Sequence, residues 1–471
     1  MTTLEQGGAW QGLRRSGQLG GFLLLCAGVW LHAADSLVMA TVTPAVVDEI
    51  GGVAYVSWTI SLYQIGSIIA SAATARLCQR TGTKRVLLVA TLLYGVGCAA
   101  AAVAPDMATL LGARLAQGIG GGVLVSLSYV AIQQSFAERL WGPLFGIVAA
   151  IWGVGSLLGP LIGGVFADFG SWRGAFWFFA AQAGLLGALA LVLLPGQPGD
   201  ANATQKWPVS PLLMLSAATL LVAFAGVAQN VALAALECLT GVGLLAMTAR
   251  MDRRSQIPML PGQTLDLRHP VGAGLLTVFA LSMAKTGFWA YGPLILKTMF
   301  GIDPLISGYI LAGESLAWSV ATVAVSNVPA SATRLLIRIG VGMIVVGTAG
   351  LTITVPVGSL TGIIICELMG GFGFGLAWPS MVRRIVQFSD EGERTLAAGA
   401  PGAVQRIAFA VGAAITGIAA NMSGLAEGMS IQAAETASFW VFASFVPVLL
   451  IGGWAAWRFT ASEDVSLQRR T

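Results

Sequence analysis

Runs of about twenty largely apolar residues, the length a helix needs to cross the hydrocarbon of a bilayer, recur from one end of this chain to the other. Fourteen are read, with approximate limits 20–47, 53–75, 86–104, 108–133, 143–168, 174–194, 209–229, 231–250, 270–294, 304–327, 335–354, 358–382, 396–420 and 436–458. Lipid offers no partner to an unpaired backbone N–H or C=O, so a spanning segment is a helix or a strand of a closed barrel. The alternation of period two that a barrel strand requires is absent. The chain is therefore read as an all-α polytopic membrane protein of about fourteen transmembrane helices. Charge is too sparse for any other reading: 10% of the 471 residues are charged, against about 25% in a soluble domain. The 61 glycines suit helices that approach closely in lipid. Cys26, Cys78, Cys98, Cys238 and Cys366 lack ligand spacing and are read as free core thiols, so no metal site is expected. Arg14 and Arg15 before the apolar run 21–31 outline a leader peptide, but the apolar pattern resumes after Asp35 and reaches Val47, which reads as a full first span.

The basic residues orient these spans. With both termini in the cytoplasm, twenty of the 25 Lys and Arg fall on the cytoplasmic side. Arg173 and Lys297 fall on the other side, and Arg114, Lys285 and Arg406 lie within spans. That is the positive-inside bias of a bacterial inner-membrane protein. Spans 7 and 8 are parted only by a short turn near 228–230, so one long broken helix is the alternative there. An internal duplication is also legible. Glu138-Arg139 precedes glycine-rich span 5 as Glu393-Arg394 precedes glycine-rich span 13, and Lys84-Arg85 opens span 3 as Arg334 opens span 11. Transporters are often built from such repeats; chance likeness between glycine-rich helices is the alternative. The expected division is a six-helix bundle over 1–194, a linker with two inserted helices over 195–269, and a second six-helix bundle over 270–471.

Several short motifs carry more specific information. Span 5 contains Gly155, Gly159, Pro160, Gly163 and Gly164 in a GxxxGPxxGG pattern. Glycines four apart share a helix face and permit close contact, and Pro160 removes a helical hydrogen bond. Span 4 contains Arg114-Leu-Ala-Gln117-Gly118, and span 1 contains Asp35-Ser-Leu-Val-Met39. Ser171-Trp172-Arg173 follows span 5, and the loop after span 2 carries Leu77, Gln79, Arg80, Gly82, Lys84 and Arg85. Together these resemble the major facilitator superfamily, and the fourteen spans resemble its drug:H⁺ antiporter-2 branch. The resemblance implies two six-helix bundles plus two inserted helices, moving by alternating access. Three positions depart from the family pattern: Met39 stands where that branch has valine, Ala75 replaces a glycine, and Gln79 replaces the acid that latches the halves together.

Ionisable groups inside a membrane are expensive and mark function by default. Here they are Asp35, Arg114, Glu237, Lys285, Glu314, Glu367 and Arg406. The family architecture implies that spans 1, 2, 4, 5, 9, 10, 12 and 13 line a central cavity, which holds all of these except Glu237; that residue is expected to snorkel to the surface. Proton coupling is assigned to Asp35, Arg114, Glu314 and Glu367, with Asp35 the first choice as carrier; a permanent Asp35–Arg114 ion pair is the alternative, and Glu314 and Glu367 could instead bind a cationic substrate or pair with Lys285 and Arg406. His32, one turn before Asp35, is placed to share its proton, or is a satisfied core histidine. The substrate cavity is expected to use His32, Trp58, Tyr63, Gln117, Lys285, Trp289, Tyr291, Trp318 and Arg406, the aromatics holding flat or cationic compounds, and Lys285 raising the prospect of an anionic one. The function expected is proton-coupled export of small amphipathic or drug-like compounds. The alternatives are a dedicated exporter of one metabolite, lipid or siderophore, and a non-transporting membrane sensor or scaffold. An ATP-driven pump is not expected, because no GxxxxGK[ST] loop occurs, nor is an enzyme, because no zinc-ligand cluster is seen and His32 and His269 lie far apart. No cofactor is expected, the proton gradient being the energy source. The partners expected are the substrate, protons and membrane lipid, without nucleic acid, for a monomer.

Overall fold

A computed structural model describes residues 18–136, 138–196, 199, 209–227, 230–253, 258, 260–325 and 328–461. Arg14, Arg15, Lys206, Arg254, Arg469 and Arg470, and the side chain of Arg139, lie outside the described residues. Sixteen α-helices account for nearly all of the rest. They are α1 Gln18–Ile50, α2 Val56–Thr81, α3 Thr83–Ala102, α4 Met107–Ser135, α5 Glu138–Asp168, α6 Trp172–Leu193, α7 Val209–Ala225 and α8 Val231–Arg253, then α9 Pro270–Ala284, α10 Thr286–Phe300, α11 Pro304–Ala324, α12 Thr333–Thr354, α13 Leu360–Phe388, α14 Arg394–Met422, α15 Ile431–Ala443 and α16 Val446–Ala461.

The helix ends follow from local chemistry. Asp106 caps α4 by accepting from the Thr109 N–H at 2.8 Å, and Ser430 caps α15 through the Ala433 N–H at 3.1 Å; each satisfies a donor the first turn would otherwise leave orphaned. Pro270 and Pro304 open α9 and α11, where the missing N–H costs nothing. Gly82 turns α2 directly into α3 with φ +86°, a conformation that favours glycine. Lys84 then donates to the carbonyls of Leu191 and Leu194 at 2.8 and 2.6 Å, closing the C-terminus of α6.

Twelve stretches among the described residues are long and apolar enough to cross a membrane. The two further crossings expected from the sequence are α7, whose apolar part is the shorter Leu213–Ala225, and α11, which carries Glu314 in its middle. Spans 7 and 8 are two separate helices, packed on each other with Gly241 against Val222 and Ala218. Two expected spans are corrected. The ninth does not end near 294: it runs from Pro270 to Phe300 and is broken at Lys285, and Lys297, expected in a loop, lies in its last turn. The last begins at Ile431 and is broken between Ala443 and Val446. The first helix passes without interruption through Asp35 to Ile50.

The packing repeats itself. α2 packs on α4 as α11 packs on α13; α3 packs on α4 as α12 packs on α13; α1 packs on α5 as α9 packs on α14. The repeat extends to single glycines. A Cβ on Gly118 or Gly122 of α4 would strike the backbone of Tyr63 or Ser67 in α2, and a Cβ on Gly371 or Gly375 of α13 would strike the backbone of Glu314 or Trp318 in α11. One core runs among residues 24–194 alone, and a second joins α9, α12, α13, α14 and α16.

The two sets of helices meet along a seam. Arg76, Arg80, Lys84 and Arg85 stand where α2 passes to α3, and this end of the bundle is called the basic end below; Asp48, Glu49 and Arg173 stand at the far end. Across the seam Lys297 of α10 pairs with Asp48 of α1. Asn421 of α14 donates to the Ala54 carbonyl at 2.8 Å, and Ser61 of α2 to the Ala410 carbonyl at 3.2 Å. A Cβ on Gly308 of α11 would strike the carbonyl of Pro160 in α5. These contacts join the far-end parts and the middle of the helices. The α7–α8 hairpin leans on the seam from outside, α7 touching both α2 and α14.

A pair of buried charge clusters as the candidate functional site

α1, α2 and α4 bring the first cluster together. Asp35, completely buried, faces Arg114, with Arg114 Nη1 3.2 and 3.1 Å from its two carboxylate oxygens. The same nitrogen donates to Gln117 Oε1 at 2.9 Å, and Arg114 Nε donates to the Thr59 carbonyl at 3.3 Å. Gln117 in turn reaches Cys98 Sγ at 3.1 Å. The Arg114 guanidinium lies 4.2 Å over the Tyr63 ring, a cation–π contact made stronger by exclusion of water. Arg114 and Gln117 are one turn apart on α4, which explains why the Arg-x-x-Gln spacing lets Gln117 accept from the guanidinium that meets Asp35.

His32 is bound differently from one sequence expectation. It does not share Asp35; its Nδ1 is 2.9 Å from Tyr63 Oη, its ring stacks on Tyr63 at 5.2 Å, and Trp152 of α5 meets it edge-on at 5.5 Å. Gly121 makes the room, since a Cβ there would fall 2.5 Å from His32 Nδ1.

The second cluster sits at the break between α9 and α10. Lys285 Nζ is 2.7 Å from Glu314 Oε1 of α11 and 3.0 Å from Glu367 Oε2 of α13. Trp289 Nε1 donates to the other oxygen of Glu314 at 3.1 Å. The second oxygen of Glu367 is buried without a hydrogen-bond partner. Gly370 gives Lys285 its space, as a Cβ there would lie 2.9 Å from Nζ. Lys285 is thus neutralised by two carboxylates, which corrects the expectation that it is the feature inviting an anion.

The duplication relates the two clusters. Tyr63 and Glu314 occupy matching glycine-contacted positions on α2 and α11, Arg114 and Glu367 each precede the equivalent glycines Gly118 and Gly371 by four, and Asp35 and Lys285 lie on the first span of each set. The ion pair recurs with its signs exchanged: acid on the first span and base on the fourth in one set, base and acid in the other.

The remaining expected residues are dispersed. Arg406 crosses the seam, Nη1 donating to Ser71 Oγ at 3.1 Å. Trp318 stacks on Phe374 at 5.1 Å, 6.2 Å from Trp378. Trp58 packs on Phe224 of α7, and Tyr291 is buried in a core with Leu294 and Phe442; neither joins a charge cluster. Glu237 is half-buried, with one oxygen lacking a partner. Gly155, Gly159 and Gly163 abut Ala33, Ala34 and Val38 of α1, while Gly164 abuts Leu305 of α11, so the glycine motif packs its own bundle and the seam together. Trp172 and Arg173 both donate to Glu49 at the far end. Leu77 packs on the first core, and Gln79, Arg80 and Arg85 are exposed at the basic end; Gln79 makes no hydrogen bond among the described residues. Ser71, Tyr94 and Cys98 carried no sequence signal, because their importance lies in partners on other helices. Two cavities, of about 620 Å³ beside Ser423–Thr436 and about 920 Å³ between α8 and residues 261–266, are lined by none of the candidate residues. Among the described residues no cluster of His, Cys, Asp or Glu suits a metal.

Comparison with known proteins agrees with this architecture. Residues 24–248 match the family model described as Major Facilitator Superfamily. A probable multidrug-efflux transporter of Mycobacterium tuberculosis is 29% identical over 451 residues, covering 92% of this chain and 93% of its own length. The multidrug efflux pump SdrM of Staphylococcus aureus is 24% identical over 291 residues, 62% of this chain and 65% of that one. Among solved structures, a D-xylose–proton symporter superposes with a TM-score of 0.65 at 16% identity over 94% of this chain and 97% of its own, and a peptide transporter with 0.68 at 13% identity over 94% and 95%. These structures share the fold.

Proposed function

We propose that this chain, a transporter whose residues 24–248 match the Major Facilitator Superfamily model and which is similar to multidrug-efflux transporters, exports small amphipathic, drug-like compounds in exchange for protons. In this reading it lies in a bacterial inner membrane with both termini cytoplasmic, as the placement of its basic residues supports. The halves 1–194 and 270–471 rock about the seam, with 195–269 carrying the inserted pair, as in the fourteen-span drug:H⁺ antiporter branch. The seam contacts at the far end support a conformation closed to the outside.

One observation carries the proton coupling: each half holds a buried acid–base cluster between its own first and fourth spans. A buried ion pair at best breaks even against apolar packing, so stability does not explain these residues. Asp35 and Arg114 match one to one; when rocking admits water, a proton on Asp35 releases Arg114, and its loss restores the pair. Lys285, Glu314 and Glu367 hold two acids for one base, an excess negative charge that one proton neutralises. Drug-like cargo is supported by the efflux names of the Mycobacterium and Staphylococcus relatives.

The test is ethidium transport in proteoliposomes. An imposed proton gradient directed against ethidium flux is expected to drive accumulation, and a protonophore to abolish it. Flux indifferent to the gradient removes proton coupling, and no flux of any compound removes the transport reading. Broad drug sensitivity of a deletion strain distinguishes multidrug export from a dedicated exporter.

A further inference from the structure

Arg114 and Lys285, the buried cations of the two clusters, have carboxylate partners, whereas the half-buried Arg406 has none among the described residues. Arg114 meets Asp35, and Lys285 meets Glu314 and Glu367. Arg406 bonds only the hydroxyl of Ser71, which itself donates to the Gly122 carbonyl at 3.1 Å. Arg406 is twelve residues into the 29-residue α14, roughly 18 Å from its basic end at 1.5 Å per residue, and so is deep in the bilayer. A guanidinium cannot shed its proton there, so its charge must be met by water or by an anion.

Its surroundings resemble a receptor more than a helix contact. Through Ser71 the guanidinium abuts α4 at Gly122, next to Gly121, on which His32 of α1 and Tyr63 of α2 close. Tyr129 stacks on Phe145 of α5 at 5.5 Å, and Trp152 stands over His32. A planar fork of donors without a carboxylate suits a carboxylate or comparable anion, and the rings on the neighbouring helices suit an aromatic body attached to it.

We propose that Arg406 is the subsite for the anionic group of the transported solute, the aromatic faces of α1, α4 and α5 holding its apolar body. This rests on the transporter reading above and adds anionic and zwitterionic amphiphiles to the cargo that reading allows. Ser71 holds the guanidinium in place while the site is empty.

The probes are 1-pyrenebutyrate and its neutral amide, with binding to protein in nanodiscs followed by quenching of tryptophan fluorescence, and flux followed separately in proteoliposomes. The wild type is expected to bind the carboxylate about tenfold or more tightly than the amide, the ratio that one charge-assisted hydrogen bond supplies. Arg406→Gln removes that preference and leaves amide binding within about twofold, Arg406→Lys keeps part of it because the charge survives without the fork, and Ser71→Ala preserves it. Ser71→Ala and Arg406→Lys keep the charge and serve if Arg406→Gln does not fold. Equal binding of the two probes by the wild type, no binding of either, or equal weakening of both by Arg406→Gln overturns the proposal. Carboxylate-selective binding without proton-driven flux upholds the subsite and overturns the transport reading instead.

Discussion

At the scale of single residues, the informative feature is stoichiometry of charge. Asp35 and Arg114 are one acid and one base, so each is committed to the other until a proton arrives. Asp35→Asn keeps the shape and deletes the titration: proton-driven ethidium accumulation should fall to the level seen without a gradient, while equilibrium exchange of ethidium persists. Gradient-driven accumulation at the wild-type rate would remove Asp35 from the coupling. The second cluster predicts an asymmetry in stability. Lys285→Ala leaves Glu314 and Glu367 facing each other unpaired, which costs about 3–5 kcal/mol and should lower the unfolding temperature in detergent. Lys285→Ala combined with Glu367→Gln leaves fewer buried charges without a partner and should be more stable than Lys285→Ala alone. If the double variant is no better, the cluster is held by packing rather than by charge.

At the scale of helices, glycine decides which elements can touch. Without a hydrophobic drive between helices in lipid, association rests on close backbone approach. Gly118 and Gly122 seat α4 on α2; Gly371 and Gly375 seat α13 on α11; Gly159 seats α5 on the Ala34 carbonyl. Gly159→Leu should therefore push α5 from α1, lowering thermal stability and abolishing transport, whereas Gly146→Leu, where an added Cβ meets nothing within 4 Å, should be tolerated. Equal loss from both would mean that the motif acts through flexibility rather than contact. The break of the ninth span at Lys285 belongs to this scale too. No proline sits there; the break coincides with the one lysine that two acids draw from neighbouring helices.

At the scale of the whole molecule, the proposed rocking of the halves puts the motion at the seam. An added Cβ on Gly417 lies 2.9 Å from the Ser57 Cβ, slightly nearer than the ~3.5–4.5 Å of a disulfide. In a background with the five native cysteines replaced, Ser57→Cys with Gly417→Cys should cross-link on oxidation, halt transport, and regain it with reductant. Undiminished transport by the fully cross-linked protein would show that α2 and α14 do not part at the far end during the cycle.

The sequence by itself determined that the chain is a multi-pass helical membrane protein. The fourteen apolar runs and the want of charge leave the backbone no other way to satisfy its hydrogen bonds in lipid. It also named Asp35, Arg114, Lys285, Glu314, Glu367 and Arg406, because a charge within an apolar run is conspicuous wherever it points. Only the tertiary structure decided who partners whom. His32 went to Tyr63, Lys285 drew both glutamates, and Arg406 met a serine. The exchange of sign between the two ion pairs was hidden for the same reason. A linear chain records each side chain's chemistry, but a buried charge is defined by its neighbours, and those come from other helices, 31 residues away for His32 and Tyr63, 79 for Asp35 and Arg114, and 335 for Ser71 and Arg406.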